Sequence, residues 1–165
     1  MKKLLMLAAT VSLLALLGLS SVTASADNSC APNPSGTIAC TMNLHGLSFP
    51  VGPPNPPCIP PDATGALSNV NAVFHFTING AGDGWFTVTF EGDVNLSAPS
   101  TGLTYSGHFT EWFGDEFNKN NSVHNAIFNA HLTASNGSTL DVHASFGFGV
   151  SASGQPIMHM NLVCP

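Results

Sequence analysis

The stretch from Leu67 to Asn79 reads L-S-N-V-N-A-V-F-H-F-T-I-N, and its apolar residues recur at every second position from Val70. Successive side chains of a β-strand point to opposite faces of a sheet, so Val70, Phe74 and Ile78 share one face while His75 falls on the other. Alternation over this length predicts a strand with one buried face and one face in water.

The same period of two returns along the rest of the chain, in short runs separated by turn signals. It predicts an all-β fold, an antiparallel up-and-down meander of about seven strands. A meander can bury a Phe-rich face by rolling into a small β-barrel, which also removes exposed edges, and we expect this form. A two-sheet sandwich is the alternative. The further runs are 38–44, 86–96, 103–110, 126–133, 140–148 and 157–163.

Turn residues predict how neighbouring strands pair. A three-residue loop at 135–137 with a left-handed Gly137 sets Leu132 opposite Leu140 and His131 opposite Asp141, which keeps both faces consistent. The same logic at loops 152–154 and 98–101 predicts the pairs Phe148–Met158, Phe146–Met160, Phe90–Phe109 and Glu91–His108.

The start of the chain has the pattern of a secretory signal peptide. Lys2 and Lys3 precede an apolar run at 4–19, and the small residues Ala24-Ser25-Ala26 form an exit site. The run is too short and wrongly flanked for a membrane span. We therefore expect a secreted, extracellular protein.

The segment from Phe49 to Asp62 reads F-P-V-G-P-P-N-P-P-C-I-P-P-D, too rich in proline for a helix or a central strand. The chain then divides into a signal peptide at 1–26, an irregular Cys- and Pro-rich N-terminal arm at 27–65 with one possible strand, and an antiparallel β domain at 66–165.

An even number of cysteines in an exported chain indicates disulfides, and four cysteines allow three pairings. We favour Cys30–Cys40 with Cys58–Cys164, because the second bridge would tie the proline-rich segment to the last strand.

The charge balance excludes several partners. The chain has three Lys+Arg against nine Asp+Glu and a formal net charge of −6. Lys2 and Lys3 lie in the predicted signal peptide, which leaves Lys119 as the one basic residue of the acidic body. Such a surface repels phosphate backbones and anionic headgroups, so neither nucleic acid nor a membrane is expected as a partner. A neutral small molecule or a glycan fits better; no cofactor is indicated, and the oligomeric state stays open.

Histidines crowd the polar face of the predicted strands. The expected pairing sets His108 opposite Glu91, and His75 lies diagonal to Glu91 on the neighbouring strand. These two imidazoles and one carboxylate form a candidate set for zinc or iron. The alternative is that a chain nearly devoid of Lys and Arg simply fills its polar face with His, Asn, Ser and Thr. A second candidate metal set is His131, Asp141 and His143.

Trp85 and Trp112 also fall on the polar face. The expected pairing sets Trp112 opposite Thr87, diagonal to Trp85 and with Asn79 nearby. Apolar rings flanked by amides suit stacking on a sugar or another neutral ring, so these residues are the candidate ligand-binding set. The alternative is that both rings are covered by the Pro-rich arm or by 114–121.

Three motifs carry a resemblance to a known group of proteins: G-H-F-T-E-W-F-G at 107–114, N-N-S-V at 120–123 and S-N-G-S-T-L at 135–140. They are similar to small exported bacterial proteins of no assigned function, which have a signal peptide, a β-rich body and a cysteine near the C-terminus. The resemblance covers roughly 70–165. It implies an exported bacterial β domain and assigns no catalytic residue.

The function expected from these observations is an exported, non-enzymatic β domain that binds a neutral ligand, a glycan or a surface partner. One alternative is an isomerase or hydrolase working inside the barrel, which polar groups on the inward face would favour. Tyr105 is the clearest polar residue expected there. The other alternative is an extracellular protein that binds metal through histidine.

Overall fold

The structure is a computed structural model that describes residues 30–118, 122–151 and 153–164, together with the backbone of 23–26. The described chain forms one antiparallel sheet in which each strand pairs with its neighbour in sequence. The all-β meander predicted from the sequence is therefore confirmed. Its strands are β1 (Thr23–Ala26), β2 (Ile38–Val51), β3 (Thr64–Ile78), β4 (Gly84–Ala98), β5 (Leu103–Phe117), β6 (Ser122–Ala134), β7 (Thr139–Val150) and β8 (Pro156–Val163).

The sheet does not close into the expected barrel, and its single layer is not the sandwich either. Within the described residues, β1 and β8 are the two edges and no ladder joins them. β8 has 8 residues, whereas β2 has 14, and every described side chain of β8 is exposed. β1 occupies part of the free edge of β2, where Ala26 pairs with Met42.

One face of the sheet, here called the inward face, carries the core. Its buried residues come from β2 to β7, and no second sheet or helix covers them in the described part of the chain, so the sheet must curl to bury them. Inward glycines permit this curl: a Cβ at Gly65 or Gly107 would collide with the carbonyl oxygen of Asn95 or His131 on the next strand. The core cluster is Leu47, Val70, Ala72, Val94, Leu96, Phe109, Ala130, Leu132 and Val142.

Two of the three predicted hairpin registers are confirmed. Leu132 pairs with Leu140 and His131 with Asp141, next to a left-handed Gly137 with φ of 85°. The β7–β8 hairpin pairs Phe148 with Met158 and Phe146 with Met160.

The predicted β4–β5 register is wrong. Ala98 pairs with Leu103, so the loop is 99–102 and ends in a left-handed Gly102 with φ of 68°. The loop begins one residue later than predicted, which moves every partner on β5 by two positions. The structure therefore has the pairs Phe90–Glu111, Glu91–Thr110, Gly92–Phe109 and Asp93–His108.

The proline-rich segment begins later than predicted, because Phe49 to Val51 extend β2 and pair with β3. The remaining residues, 52–63, run across one end of the inward face. Ile59 packs against the core cluster. The Asp62 carboxylate accepts hydrogen bonds from the backbone N–H (2.6 Å) and the hydroxyl (2.7 Å) of Ser100. The structure forms the two expected disulfides, Cys30–Cys40 and Cys58–Cys164. The second bridge fastens the end of β8 to this segment.

The predicted signal peptide lies outside the described residues except for the backbone of β1. Across the part of the chain that the structure describes, no helix is long and apolar enough to cross a membrane.

Candidate functional site

The two tryptophans predicted to form a platform lie on the outward face but do not meet. Trp85 pairs with Glu116 and Trp112 with Thr89, because the β4–β5 register differs from the predicted one. The indole of Trp112 lies over Gly114, where a Cβ would collide with the ring. In the described part of the chain, the two indoles make no ring contact with each other.

Asn79, the third residue of that set, belongs to its own turn. Its side-chain oxygen accepts the backbone N–H groups of Ala81 (2.9 Å) and Asp83 (3.0 Å), and its amide nitrogen lies 3.3 Å from the Asp83 carboxylate. These bonds hold the β3–β4 hairpin and occupy both ends of the amide.

The first predicted metal set is not brought together. His75 pairs with Thr87 across the sheet, four residues along β4 from Glu91, which is about 13 Å at the usual strand rise. His108 pairs with Asp93 instead of Glu91. Among the described residues, no three His, Cys, Asp or Glu side chains are placed to hold one metal ion.

The second predicted set is partly assembled. His131 Nδ1 lies 2.5 Å from Asp141 Oδ1, and His143 Nδ1 lies 2.6 Å from Asn129 Oδ1. His131 and His143 line the same shallow depression on the outward face.

The inward face holds an arrangement that the sequence reading missed. Toward the turns at 79–83 and 151–155, this face is lined by phenylalanine rings that are half-buried instead of buried. Rings on β3, β4 and β5 contact one another: the Phe74–Phe90 centroids are 5.9 Å apart and the Phe86–Phe113 centroids 6.0 Å. We call this lining the aromatic half; it comprises Phe74, Phe76, Phe86, Phe90, Phe113, Phe128, Phe146 and Phe148.

Glu111 lies in the middle of this lining. Phe90 and Phe128 pair with it across the sheet, and Phe109 and Phe113 flank it along β5 on the same face. Burial raises the pKa of the Glu111 carboxyl above its ordinary value. No described side chain forms a hydrogen bond or an ion pair with it. An unpaired carboxylate on an apolar surface is costly to desolvate and attracts a cation or a hydrogen-bond donor.

Asp115 and His124 form a second polar point on the aromatic half. Asp115 Oδ2 lies 3.0 Å from His124 Nδ1, with about a quarter of the Asp115 side chain exposed. The imidazole stacks on Phe148, with ring centroids 5.9 Å apart. The other carboxylate oxygen, Asp115 Oδ1, is buried and has no hydrogen-bond partner among the described residues.

The two polar points are separated by apolar surface. Asp115 and Glu111 lie four residues apart on β5, about 13 Å at the usual rise, with Phe113 between them. They therefore cannot act together on one atom. They can instead hold the two ends of a molecule that covers the rings between them.

The sequence does contain the signal for these residues. Continuing the alternation of β5 beyond Phe109 places Glu111 and Asp115 on the inward face, and their charge is what makes the pattern look broken there. His124 is the third residue of β6, near the start of the strand, where the alternation is too short to assign it to a face.

Comparison with known proteins found no matching family model, no similar curated protein and no similar solved structure.

Proposed function

We propose that this protein is an exported, non-enzymatic β domain that binds a small, mainly apolar ligand carrying a neutral or cationic polar group. The observation that supports this proposal is the unpaired Glu111 carboxylate between Phe90 and Phe128 on a face of half-buried rings. The proposed site is the aromatic half, not the tryptophan face.

The rings supply the affinity. Each half-buried phenylalanine still exposes apolar area to water, and covering that area with a ligand is favourable at roughly 25 cal/mol per Å². Aromatic ligands gain further from edge and offset contacts with the rings, which already adopt such arrangements with one another.

The charges supply the selectivity. Glu111 attracts a cationic or hydrogen-bond-donating group, and ring faces beside it favour cations further. The chain carries a formal net charge of −6, which disfavours an anionic ligand over the whole surface. A glycan has less support, because the two indoles that would stack on a sugar do not form one platform.

The proposal is tested with three naphthalene derivatives of similar size: naphthylmethylammonium, naphthylmethanol and naphthalene carboxylate. The melting temperature of the purified protein is measured against the concentration of each, since ligands that bind the folded state raise it. We expect the largest increase with the ammonium, a smaller one with the alcohol and none with the carboxylate.

The variant Glu111→Gln should remove the advantage of the ammonium over the alcohol while both still bind. Glu116→Gln is the matched control, because it removes a carboxylate from the exposed, outward face of the same strand. Equal responses to all three compounds, or an ammonium response unchanged in Glu111→Gln, would overturn the proposal.

A second candidate function is an isomerase or hydrolase, favoured by the Asp115–His124 pair on the same face. A carboxylate that orients an imidazole is a common general acid–base unit. This alternative requires turnover, for example of a p-nitrophenyl ester, that is lost in His124→Gln while naphthalene binding is retained. Ester hydrolysis at the rate of free imidazole would speak against it.

A further inference from the structure

On the outward face, four titratable side chains form a row across four consecutive strands. Asp93 on β4 pairs with His108 on β5, His108 pairs with His131 on β6, and His131 pairs with Asp141 on β7. The two imidazoles are thus direct cross-strand neighbours with a carboxylate on each outer side. Side chains at such positions have Cβ atoms about 5 Å apart, within the span of one bridging ion.

A carboxylate sets the tautomer of His131. His131 Nδ1 lies 2.5 Å from Asp141 Oδ1, and a carboxylate only accepts, so the proton of a neutral His131 resides on Nδ1. Its Nε2 then carries a free lone pair. Asp93 Oδ1 lies 4.0 Å from His108 Nδ1, beyond hydrogen-bond distance, and places a negative charge beside that ring without fixing its tautomer.

Histidines that ligate metals commonly have this arrangement. The ligating nitrogen is one ring atom, and the other donates to a carboxylate that orients the ring and raises its basicity. Here His131 has such a carboxylate in Asp141. His108, His131 and Asp141 line one shallow outward depression that is open to solvent.

We propose that His108 and His131 together bind a divalent transition metal such as Cu²⁺ or Zn²⁺, with Asp141 as the supporting carboxylate of His131 and Asp93 as a nearby negative charge. This site is separate from the aromatic half and independent of the proposed function. The protein supplies two imidazole ligands, and water completes the coordination, which suits metals that accept nitrogen and leaves Mg²⁺ unbound. The described cysteines are all in disulfides and do not compete for the metal.

The test is a calorimetric titration of the purified protein with Cu²⁺ and with Zn²⁺ at pH 7.5, with Mg²⁺ as the negative control. We expect one saturable site for Cu²⁺, weaker binding of Zn²⁺ in line with the general affinity order, and no signal with Mg²⁺. Absence of saturable Cu²⁺ binding below millimolar concentration would overturn the proposal.

Three variants locate the site. His131→Ala should weaken Cu²⁺ binding at least tenfold, and Asp141→Asn, which keeps both imidazoles, should weaken it by about tenfold through loss of the supporting carboxylate. His75→Ala is the matched control: it is an exposed histidine on the same face, and its Nδ1 lies 2.9 Å from the Thr41 hydroxyl. Full affinity in His131→Ala, or an equal loss in His75→Ala, would contradict the assignment. Far-UV circular dichroism confirms that each variant is folded.

Discussion

Glu111 is a side chain that reduces the stability of the folded protein. The strand around it alternates as a core strand should, yet this position carries a carboxylate between two phenylalanine partners. Removing a carboxylate from water without a partner is unfavourable, and the raised pKa of Glu111 expresses that cost. Residues that reduce stability in this way are common at binding and catalytic sites.

Glu111→Gln should therefore stabilise the protein at neutral pH. The pKa of Glu111 is higher in the folded state than in the unfolded state. Between these two pKa values the unfolded chain binds fewer protons than the folded protein, so the stability of the wild type falls as the pH rises. Gln carries no charge and avoids this loss. The melting temperature of Glu111→Gln should exceed that of wild type at pH 7.5, and the difference should shrink as the pH falls below the ordinary pKa of a glutamate.

The control for this prediction is Glu116→Gln, on the exposed outward face of β5, which should show no such pH-dependent gain. A Glu111→Gln protein less stable than wild type at pH 7.5 would mean that the carboxylate has a partner.

Phe109 and Phe128 lie where the core meets the aromatic half: Phe109 belongs to the core and Phe128 to the aromatic half. Their rings stack with centroids 6.1 Å apart, but Phe109 is only 2% exposed and Phe128 is half-buried. Phe109→Ala should lower the free energy of unfolding by about 3–5 kcal/mol because it opens a cavity, and Phe128→Ala by about 1–3 kcal/mol. Urea denaturation of both variants measures the two values. A larger loss for Phe128→Ala than for Phe109→Ala would mean that the core lies at the end of the sheet assigned here to the aromatic half.

At the scale of the elements, hairpin registers follow from turn chemistry where glycine marks the turn. The loops ending at Gly137 and Gly154 have three residues and left-handed glycines, with φ of 85° and 77°. The predicted β4–β5 loop is wrong because Pro99 and Ser100 fit a turn that begins at Ala98 as well as one that begins at Pro99. That difference moved His108 and Trp112 by two positions relative to β4, which separates His108 from Glu91 and Trp112 from Trp85. His75 is separated from Glu91 by the β3–β4 pairing instead.

The two disulfides should differ in their effect on stability. The sequence separation of Cys58 and Cys164 is 106, whereas that of Cys30 and Cys40 is 10. In the chain-entropy account, replacing the long-range pair by serines costs about 4–5 kcal/mol and the short-range pair about 2–3 kcal/mol. Guanidinium denaturation of the two double variants checks this order. Equal losses would show that the bridge at the end of β8 constrains little of the unfolded chain.

At the scale of the whole molecule, β1 contributes little to the sheet. It has four residues, which pair with Met42 to His45 of β2. A chain that begins at Asp27, the predicted start of the exported protein, should therefore fold as the full chain does. We expect the same far-UV circular dichroism and a melting temperature within about 5 °C, given how few contacts are lost. Failure of this chain to fold would make β1 part of the domain.

β8 shows what an open sheet leaves exposed. Its inward-facing methionines are uncovered, with Met158 61% and Met160 64% exposed. The strand nevertheless alternates like one that has a buried face. A period of two reports that one face is apolar, but it carries no information on whether another strand reaches that face. Closure depends on strand lengths and on the curl of the sheet, which are properties of all the strands together.

The sequence by itself determined the strands from β2 to β8, their meander order and two of the hairpin registers, because each depends on local alternation or on turn glycines. It favoured one of three possible disulfide pairings, and the structure contains that one. Only the tertiary structure decided that the sheet stays open, which outward residues meet across β4 and β5, and that Glu111 and the Asp115–His124 pair lie among phenylalanine rings. These features depend on register and curl, where a shift of one residue in a loop moves partners by two positions and changes which side chains share a surface.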